Sequence, residues 1–397
     1  MLLKGNCLET LKTLDTASVD SIVTDPPYEL GFMGKSWDNS GIAYNQDLWA
    51  ECLRVLKPGG HLLAFSGSRT YHRMVVAIED SGFEIRDQIM WLYGSGFPKS
   101  LDVSKAIEGT LTTGSSNKKD FKNLAGEQVE RGNWGIAKAQ QTHGQRETNY
   151  DETAGETRLG KLAPTTPEAQ QWQGWGTALK PAHEPIVVAR KPLIGTVANN
   201  VLTYGTGAIN IDGSRVGTDG GTARDGLATE PNEAGWANMK GHGIAELNAG
   251  RWPANVIHDG SDEVLAGFPN EEARFFYCAK ASKSERNAGL EGLPERRESD
   301  RERDDGVGGD NPPNRTNEAK QNFHPTVKPL ALMRYLIKLV TPPNGIVLDP
   351  FLGSGTTAVA ATLEGFEWIG CEMTEDYWPI IEARVEWAQT QTGKTLF

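Results

Sequence analysis

The chain has 397 residues, 38% of them hydrophobic, and a formal charge of −12: enough apolar content for one large core or two smaller ones, and too acidic for a simple basic-patch binder of nucleic acid. Its four cysteines, Cys7, Cys52, Cys278 and Cys371, are scattered without a CxxC pair, which argues against a structural zinc site and a disulfide framework. Met1 to Lys12 carry no basic-then-apolar leader and no apolar run is long enough for a bilayer, so a cytoplasmic protein without a membrane partner is expected.

Ser18 to Thr24 reads as a short apolar strand. Asn45 to Leu56 places Leu48, Trp49, Cys52, Leu53 and Leu56 on one helical face, which Lys57-Pro58-Gly59-Gly60 ends. A buried strand over His61 to Phe65, a helix over Thr70 to Ser81 stopped at Gly82, and a strand over Glu84 to Trp91 follow. That alternation predicts half of a doubly wound, parallel sheet. From about Thr110 to Gly176 the periodicity gives way to Gly, Gln, Asn, Thr and charged residues, which predicts long loops. Residues 101–200 carry 12 basic and 11 acidic groups and form the only block of a hundred that is not net acidic; the polar insert with Trp134, Trp172 and Trp175 reads either as a DNA contact or as a disordered segment.

Regular structure resumes at Glu184 to Ala189, a strand built on Ile186, Val187 and Val188. Gly205-Thr206-Gly207 reads as a turn, and the charged run Glu295 to Asp305 as a solvated linker. The carboxyl-terminal part predicts a helix over Pro329 to Val340, a strand over Ile346 to Leu348, a helix over Thr356 to Leu363, a strand over Glu367 to Gly370 and a last helix near Asp376 to Ala388.

Two strand ends carry the chemistry. After Ile22-Val23-Thr24 comes Asp25-Pro26-Pro27-Tyr28. The lone pair of an exocyclic base amine is delocalised into its ring, so a site that methylates it must draw the nitrogen toward sp3 geometry. An Asp carboxylate and a neighbouring carbonyl accept the two N–H groups, Pro-Pro supplies carbonyls on a stiff backbone without competing donors, and Tyr28 offers a face on which an extruded base stacks. The bland alternative is a strand closed by an ordinary proline turn.

After Val347-Leu348 comes Asp349-Pro350-Phe351-Leu352-Gly353-Ser354-Gly355-Thr356-Thr357. The glycines permit a tight turn and close backbone approach to a ligand at the start of a helix. Gly353 to Ala358 also satisfies the dinucleotide pattern GxGxxG/A, so an NAD site competes with a S-adenosylmethionine site, and Glu372 at the end of the next strand would bind ribose hydroxyls in either. A P-loop is excluded because no Gly-Lys-Ser/Thr follows. His324-Pro325-Thr326-Val327-Lys328-Pro329 precedes a helix and by itself reads as a cap segment.

Asp25-Pro26-Pro27-Tyr28, Leu53-Arg54-Val55-Leu56-Lys57-Pro58-Gly59-Gly60, His324 to Pro329 and Asp349 to Thr357, in this order, resemble the DNA amino-methyltransferases of the beta class, enzymes of phage or restriction-modification type. The resemblance covers roughly the first hundred and last eighty residues. It implies an α/β, Rossmann-like S-adenosylmethionine-dependent methyltransferase fold with permuted motif order, a mostly parallel sheet and an inserted loop-rich target-recognition region. By the same likeness Asp25, Pro26, Pro27 and Tyr28 are catalytic, and Asp25 also borders the cofactor. Asp349, Pro350, Phe351, Gly353, Ser354, Gly355, Thr356 and Glu372 surround S-adenosylmethionine, with Thr326 and Lys328 near its methionine end. The family often has Gly-Asp-Cys near its start, touching the cofactor adenine; Gly5-Asn6-Cys7 stands here, making Asn6 and Cys7 cofactor candidates. Ala182 to Val188 resembles a late strand of the catalytic domain.

The implied division is a catalytic half over 1–110, a polar insert over 111–176, a further catalytic strand over 177–192, a target-recognition region over 193–320 and a cofactor-binding half over 321–397. The implied reaction is methylation of adenine N6 in double-stranded DNA, because members beginning the clamp motif with Asp tend to be adenine enzymes; cytosine N4 is the alternative. An NAD-dependent oxidoreductase and a non-catalytic DNA- or nucleotide-binding protein are the more distant readings. A homodimer and a cognate restriction endonuclease are the candidate partners beside DNA, and no metal is called for.

Overall fold

Alternating buried strands and one-sided helices build the larger of two units in the computed structural model, which describes residues 1–30, 36–94, 96, 100–113, 164–216, 251–267, 276–296 and 320–393. That unit comprises Met1–Ser95 and Ala182–Phe397, and the smaller one Gly96–Pro181. Trp134, most of the 111–176 insert and parts of the 193–320 region and of the charged run after Glu295 lie outside the described residues.

In chain order the large unit runs β1 (Leu2–Lys4), α1 (Cys7–Leu11), β2 (Val19–Thr24), α2 (Gln46–Val55), β3 (Leu56–Phe65), α3 (Tyr71–Asp80) and β4 (Glu84–Leu92). The small unit contributes α4 (Val103–Thr113) and α5 (Pro167–Gln171). The large unit then continues with β5 (His183–Arg190), α6 (Val197–Tyr204), β6 (Val256–His258), α7 (Asp262–Leu265), β7 (Phe276–Tyr277), α8 (Lys283–Asn287), α9 (Leu330–Val340), β8 (Ile346–Asp349), α10 (Thr356–Glu364), β9 (Glu367–Glu372) and α11 (Trp378–Thr392).

Local signals explain the elements that matter most. Asn45 caps α2 by accepting from the Asp47 N–H at 2.8 Å, and Leu48, Trp49, Cys52 and Val55 bury one helical face. All six residues of β2 are buried, and Pro26-Pro27 ends it because neither proline has an N–H to extend a ladder. The chain becomes extended at Leu56, so Lys57-Pro58-Gly59-Gly60 belongs to β3 rather than to a terminating turn. Gly59, at φ 77°, sits where the β2–β3 register shifts, the backbone freedom a bulge needs. Gly205-Thr206-Gly207 is the expected turn: Gly205 caps α6 at φ 76°, and the buried Thr206 hydroxyl donates to the Pro58 carbonyl at 2.6 Å.

Among the described residues nine strands form one sheet in the order β1-β9-β8-β2-β3-β5-β4-β6-β7. β1 through β3 in that order pair in parallel, as do β4, β6 and β7. The prediction of a simple parallel alternation over the first hundred residues is corrected at one point: β5 inserts between β3 and β4 and is antiparallel to both. Its run Pro185–Ala189 is buried, and a central slot with a paired neighbour on either edge covers such a strand.

One face of the sheet packs on α2 and α3 through Leu48, Trp49, Met74 and Ile78, and the other on α9 through Leu332, Leu336 and Leu339. α10 is buried from Thr356 to Thr362 between α9 and α11. From β2 the chain crosses through α2 to β3, and from β8 through α10 to β9 on the opposite side, so the carboxyl ends of the adjacent strands β2 and β8 flank a topological switch point.

In the small unit, the Glu108 carboxylate on α4 accepts from the Thr166 N–H at 3.0 Å and its hydroxyl at 2.7 Å, tying α4 to the cap of α5. Trp172 and Trp175 stand edge to face at 5.1 Å, 40% and 61% exposed. No helix among the described residues is long and apolar enough to cross a membrane.

Candidate active site

The two strand ends meet. β2 and β8 pair as Ser21↔Val347 and Ile22↔Leu348, which sets Thr24 beside Asp349. The Thr24 hydroxyl donates to Asp349 Oδ1 at 2.6 Å, the Phe351 N–H donates to the same oxygen at 3.0 Å, and the Thr357 hydroxyl donates to Oδ2. Asp349 is buried, and burial pushes its carboxyl up to about 6 against these three donors. Its side chain thus staples β2, the glycine turn and the first turn of α10 together.

On the clamp side, Pro26 is buried, and Asp25, Pro27 and Tyr28 are half-buried. Asp25 Oδ2 accepts from Lys328 Nζ at 2.8 Å, while Asp25 Oδ1 is buried without a hydrogen-bond partner. Lys328 comes from the segment before α9, 303 residues away in sequence, and also donates to the Tyr28 hydroxyl at 3.0 Å and lies 3.3 Å from Glu184 Oε2. Tyr28 in turn donates to Glu184 Oε2 at 2.8 Å. The ammonium sits 5.1 Å from the Tyr28 ring centroid and 4.9 Å from that of Phe65, within cation–π range.

Burial raises the Asp25 carboxyl above the usual carboxylate range, opposed by the adjacent Lys328 ammonium. Burial also lifts the Tyr28 phenol, and Asp25 and Glu184 push it further the same way, so it stays a neutral donor. For Lys328 burial works against the charge, but Asp25 and Glu184 outweigh it and raise the ammonium. The Lys328 ammonium thus lies between two carboxylates, and the Lys280 ammonium is within electrostatic reach of Glu184.

On the turn side, Gly353 (φ 57°) and Gly355 (φ 83°) occupy the left-handed region. The Gly353 N–H donates to Glu372 Oε2 at 2.9 Å, and the Thr374 N–H to Glu372 Oε1 at 2.7 Å. The Thr374 hydroxyl and the Met373 N–H also bear on this carboxylate. Burial raises its carboxyl, tempered by those same donors. From α11, the buried Arg384 donates to the Ser354 carbonyl at 2.7 Å and to the hydroxyls of Ser354 and Thr356 at 3.1 Å each, pinning the turn from behind. Pro350, Ser354, Gly355 and Thr356 are buried in that turn and Phe351 is half-buried.

At the chain start, the exposed Asn6 caps α1 by accepting from the Leu8 N–H at 2.9 Å, and Gly5 N–H donates to the Glu372 carbonyl at 3.0 Å. The Asn6 oxygen retains a second lone pair, and Cys7 behind it is a buried free thiol that burial pushes up to about 11. The donor set and the open-φ glycines at the α10 start therefore fit a nucleoside cofactor. In the His324 to Pro329 segment, Thr326 is exposed and its carbonyl meets His324 Nδ1 at 2.5 Å. The residue that closes on the turn is His324: a Cβ at Gly353 would lie 2.8 Å from its Nε2. Burial brings His324 down to about 4, leaving the ring neutral near pH 7.

Glu184, Thr24, Thr357 and Arg384 escaped the sequence reading as site residues. Only Glu184 left a signal, a carboxylate directly before the buried run of β5.

The DNA methylase family model matches residues 19–383, which is most of the chain. The type II methyltransferase M.HindIII of Haemophilus influenzae is 24% identical over 362 residues, covering 90% of this chain and 70% of that protein. M.HpaI of Haemophilus parainfluenzae is 33% identical over 116 residues, 28% of this chain and 37% of that protein. In four relatives the matched stretch covers only 22–46% of the relative's own length. Among solved structures, PvuII DNA methyltransferase (cytosine-N4-specific) superimposes with a TM-score of 0.43 at 14% identity, over 96% of this chain and 85% of that one.

Proposed function

This chain belongs to the N6/N4 DNA methylase family, and from that membership we propose that it transfers a methyl group from S-adenosylmethionine to the N6 amine of adenine in double-stranded DNA. The observation that carries the reading is Asp25 Oδ1, a buried acceptor without a protein partner, on the strand next to the glycine turn.

Asp25 accepts one N–H of the substrate amine and the Pro26 carbonyl the other, which returns the lone pair to nitrogen as its geometry becomes tetrahedral. Lys328 keeps the Asp25 carboxylate ionised against its burial. The Asp25 carboxylate stabilises an amine that turns positive as the N–C bond forms and the S–C bond breaks; the cofactor leaves as a neutral thioether and the surplus N–H proton passes to solvent. With its hydroxyl anchored on Glu184, Tyr28 presents a fixed ring to a base extruded from the duplex.

S-adenosylmethionine, when bound, supplies an electrophilic methyl on a sulfonium. Glu372 would take its ribose hydroxyls, Gly353 to Thr356 would approach it through backbone, and Asn6 and Cys7 would flank its adenine. What supports it over a dinucleotide at the same turn is the family membership and the amine clamp beside it, which hydride transfer does not use. Adenine is favoured by Asp, rather than Ser, at the first clamp position. The homodimer and the cognate endonuclease expected from the sequence belong to this proposal as well.

Incubation of the chain with tritiated S-adenosylmethionine and unmethylated duplex DNA, followed by nucleoside analysis, tests it. Label in N6-methyladenine is expected. Label in N4-methylcytosine would move the substrate to cytosine, and no label despite cofactor binding would overturn the DNA-enzyme reading.

A further inference from the structure

We infer that Glu184 is a positioning residue for methyl transfer: it accepts the hydrogen bond of the Tyr28 hydroxyl and so keeps the Asp25 carboxylate open to the substrate amine. The inference rests on the reading of Asp25 as amine acceptor.

The antiparallel course of β5 makes this contact possible. Its first residues lie at the carboxyl end of β3, where Ile186 pairs with Phe65, so Glu184 reaches the same sheet end as Asp25. A parallel β5 would present its start at the opposite end. Lys328 has three N–H donors, and Asp25, Tyr28 and Glu184 lie at 2.8, 3.0 and 3.3 Å from its nitrogen. The Tyr28 oxygen therefore accepts from Lys328 and has a single proton left to donate.

Two carboxylates compete for that proton. Glu184 Oε2 accepts it at 2.8 Å, and Asp25 Oδ2 is the other carboxylate oxygen gathered beside the phenol, on the Lys328 ammonium that Asp25 Oδ2 and the phenol contact at 2.8 and 3.0 Å. A carboxylate that accepts a phenol proton offers less electron density to the substrate amine. Glu184 removes that competition, and Asp25 Oδ1 stays without an internal partner.

The test compares rates of DNA labelling for Glu184→Met, Glu184→Gln and the double variant Glu184→Met/Tyr28→Phe. Methionine fills the volume without an acceptor, so Tyr28 turns to Asp25 and kcat falls about 10- to 100-fold, with KM for S-adenosylmethionine unchanged. Glutamine keeps an acceptor oxygen and loses several-fold less. Removing the competing hydroxyl makes the double variant faster than Glu184→Met alone, a rescue that a merely structural Glu184 would not show. Glu184→Ala replaces Glu184→Met in both comparisons where the methionine variant does not fold.

A double variant no faster than the single one, at an unchanged melting temperature, overturns the inference alone. Absence of label with the unaltered chain overturns the methyltransferase reading, and the inference with it.

Discussion

Replacing Asp25 with asparagine is expected to slow methylation about 10²- to 10³-fold while leaving S-adenosylmethionine affinity nearly unchanged. Asparagine keeps one acceptor oxygen, which the Lys328 ammonium, 2.8 Å from Asp25 Oδ2, captures. The amide NH2 then occupies the place of Oδ1 and turns a donor toward a donating amine. Loss of a charge-assisted acceptor costs about 1.5–3 kcal/mol. The opposed donors and the lost carboxylate charge bring the total to about 3–4 kcal/mol, equivalent to that rate loss. The fold should survive, because Lys328 keeps Tyr28 at 3.0 Å and Glu184 at 3.3 Å, and the carboxylate removed is one whose charge burial opposes. Initial rates at saturating DNA and cofactor, calorimetric titration of the cofactor and a thermal melt measure the three quantities. A rate within tenfold of the unaltered chain, or cofactor affinity lost in parallel, would mean that Asp25 does not accept the substrate amine.

Asp25 must be ionised to accept, and its carboxyl is raised by burial, so the acid limb of the kcat–pH profile should lie above the usual carboxylate range; a rate that holds until that range contradicts it. For Asp349, raised from 3.8 to about 6, the folded chain binds the proton more tightly than the unfolded one. Stability from this group is thus fully present below 3.8 and is lost as pH rises through about 6, by about 3 kcal/mol. Asp349→Asn removes that dependence, so urea melts should show the variant gaining on the unaltered chain between pH 4 and pH 7; a constant difference would count against it. Gly353→Ala puts a Cβ 2.8 Å from His324 Nε2 at φ 57°, costing roughly 1–2 kcal/mol in the left-handed region alone. Cofactor affinity should fall about tenfold or more, and an unchanged dissociation constant would mean the turn does not touch the cofactor.

Much of the large unit was legible because its signals are local. Leu48, Trp49 and Cys52 announce α2 by spacing, and the predicted ends of β2, α3, α9, β8 and α10 lie within a residue or two of the structure. The misreadings also have local causes. Pro58-Gly59-Gly60 looks like a helix stop, yet Gly59 makes a bulge inside β3, since glycine serves a turn and a bulge equally well. β1 and β7 have three and two residues, too few for an alternation to register.

By itself the sequence determined the chemistry available at each strand end: a carboxylate on a rigid Pro-Pro backbone after β2, and a glycine turn opening a buried helix after β8. Those properties depend on neighbours a few residues apart. Tertiary structure alone decided that the two ends are adjacent, that β5 runs antiparallel and delivers Glu184, and that Lys328 crosses 303 residues of sequence to hold Asp25 while leaving its other oxygen unpaired. Strand order and side-chain pairing over such separations follow from how the sheet buries its two faces, and that choice is written in the packing of the whole unit rather than in any one motif.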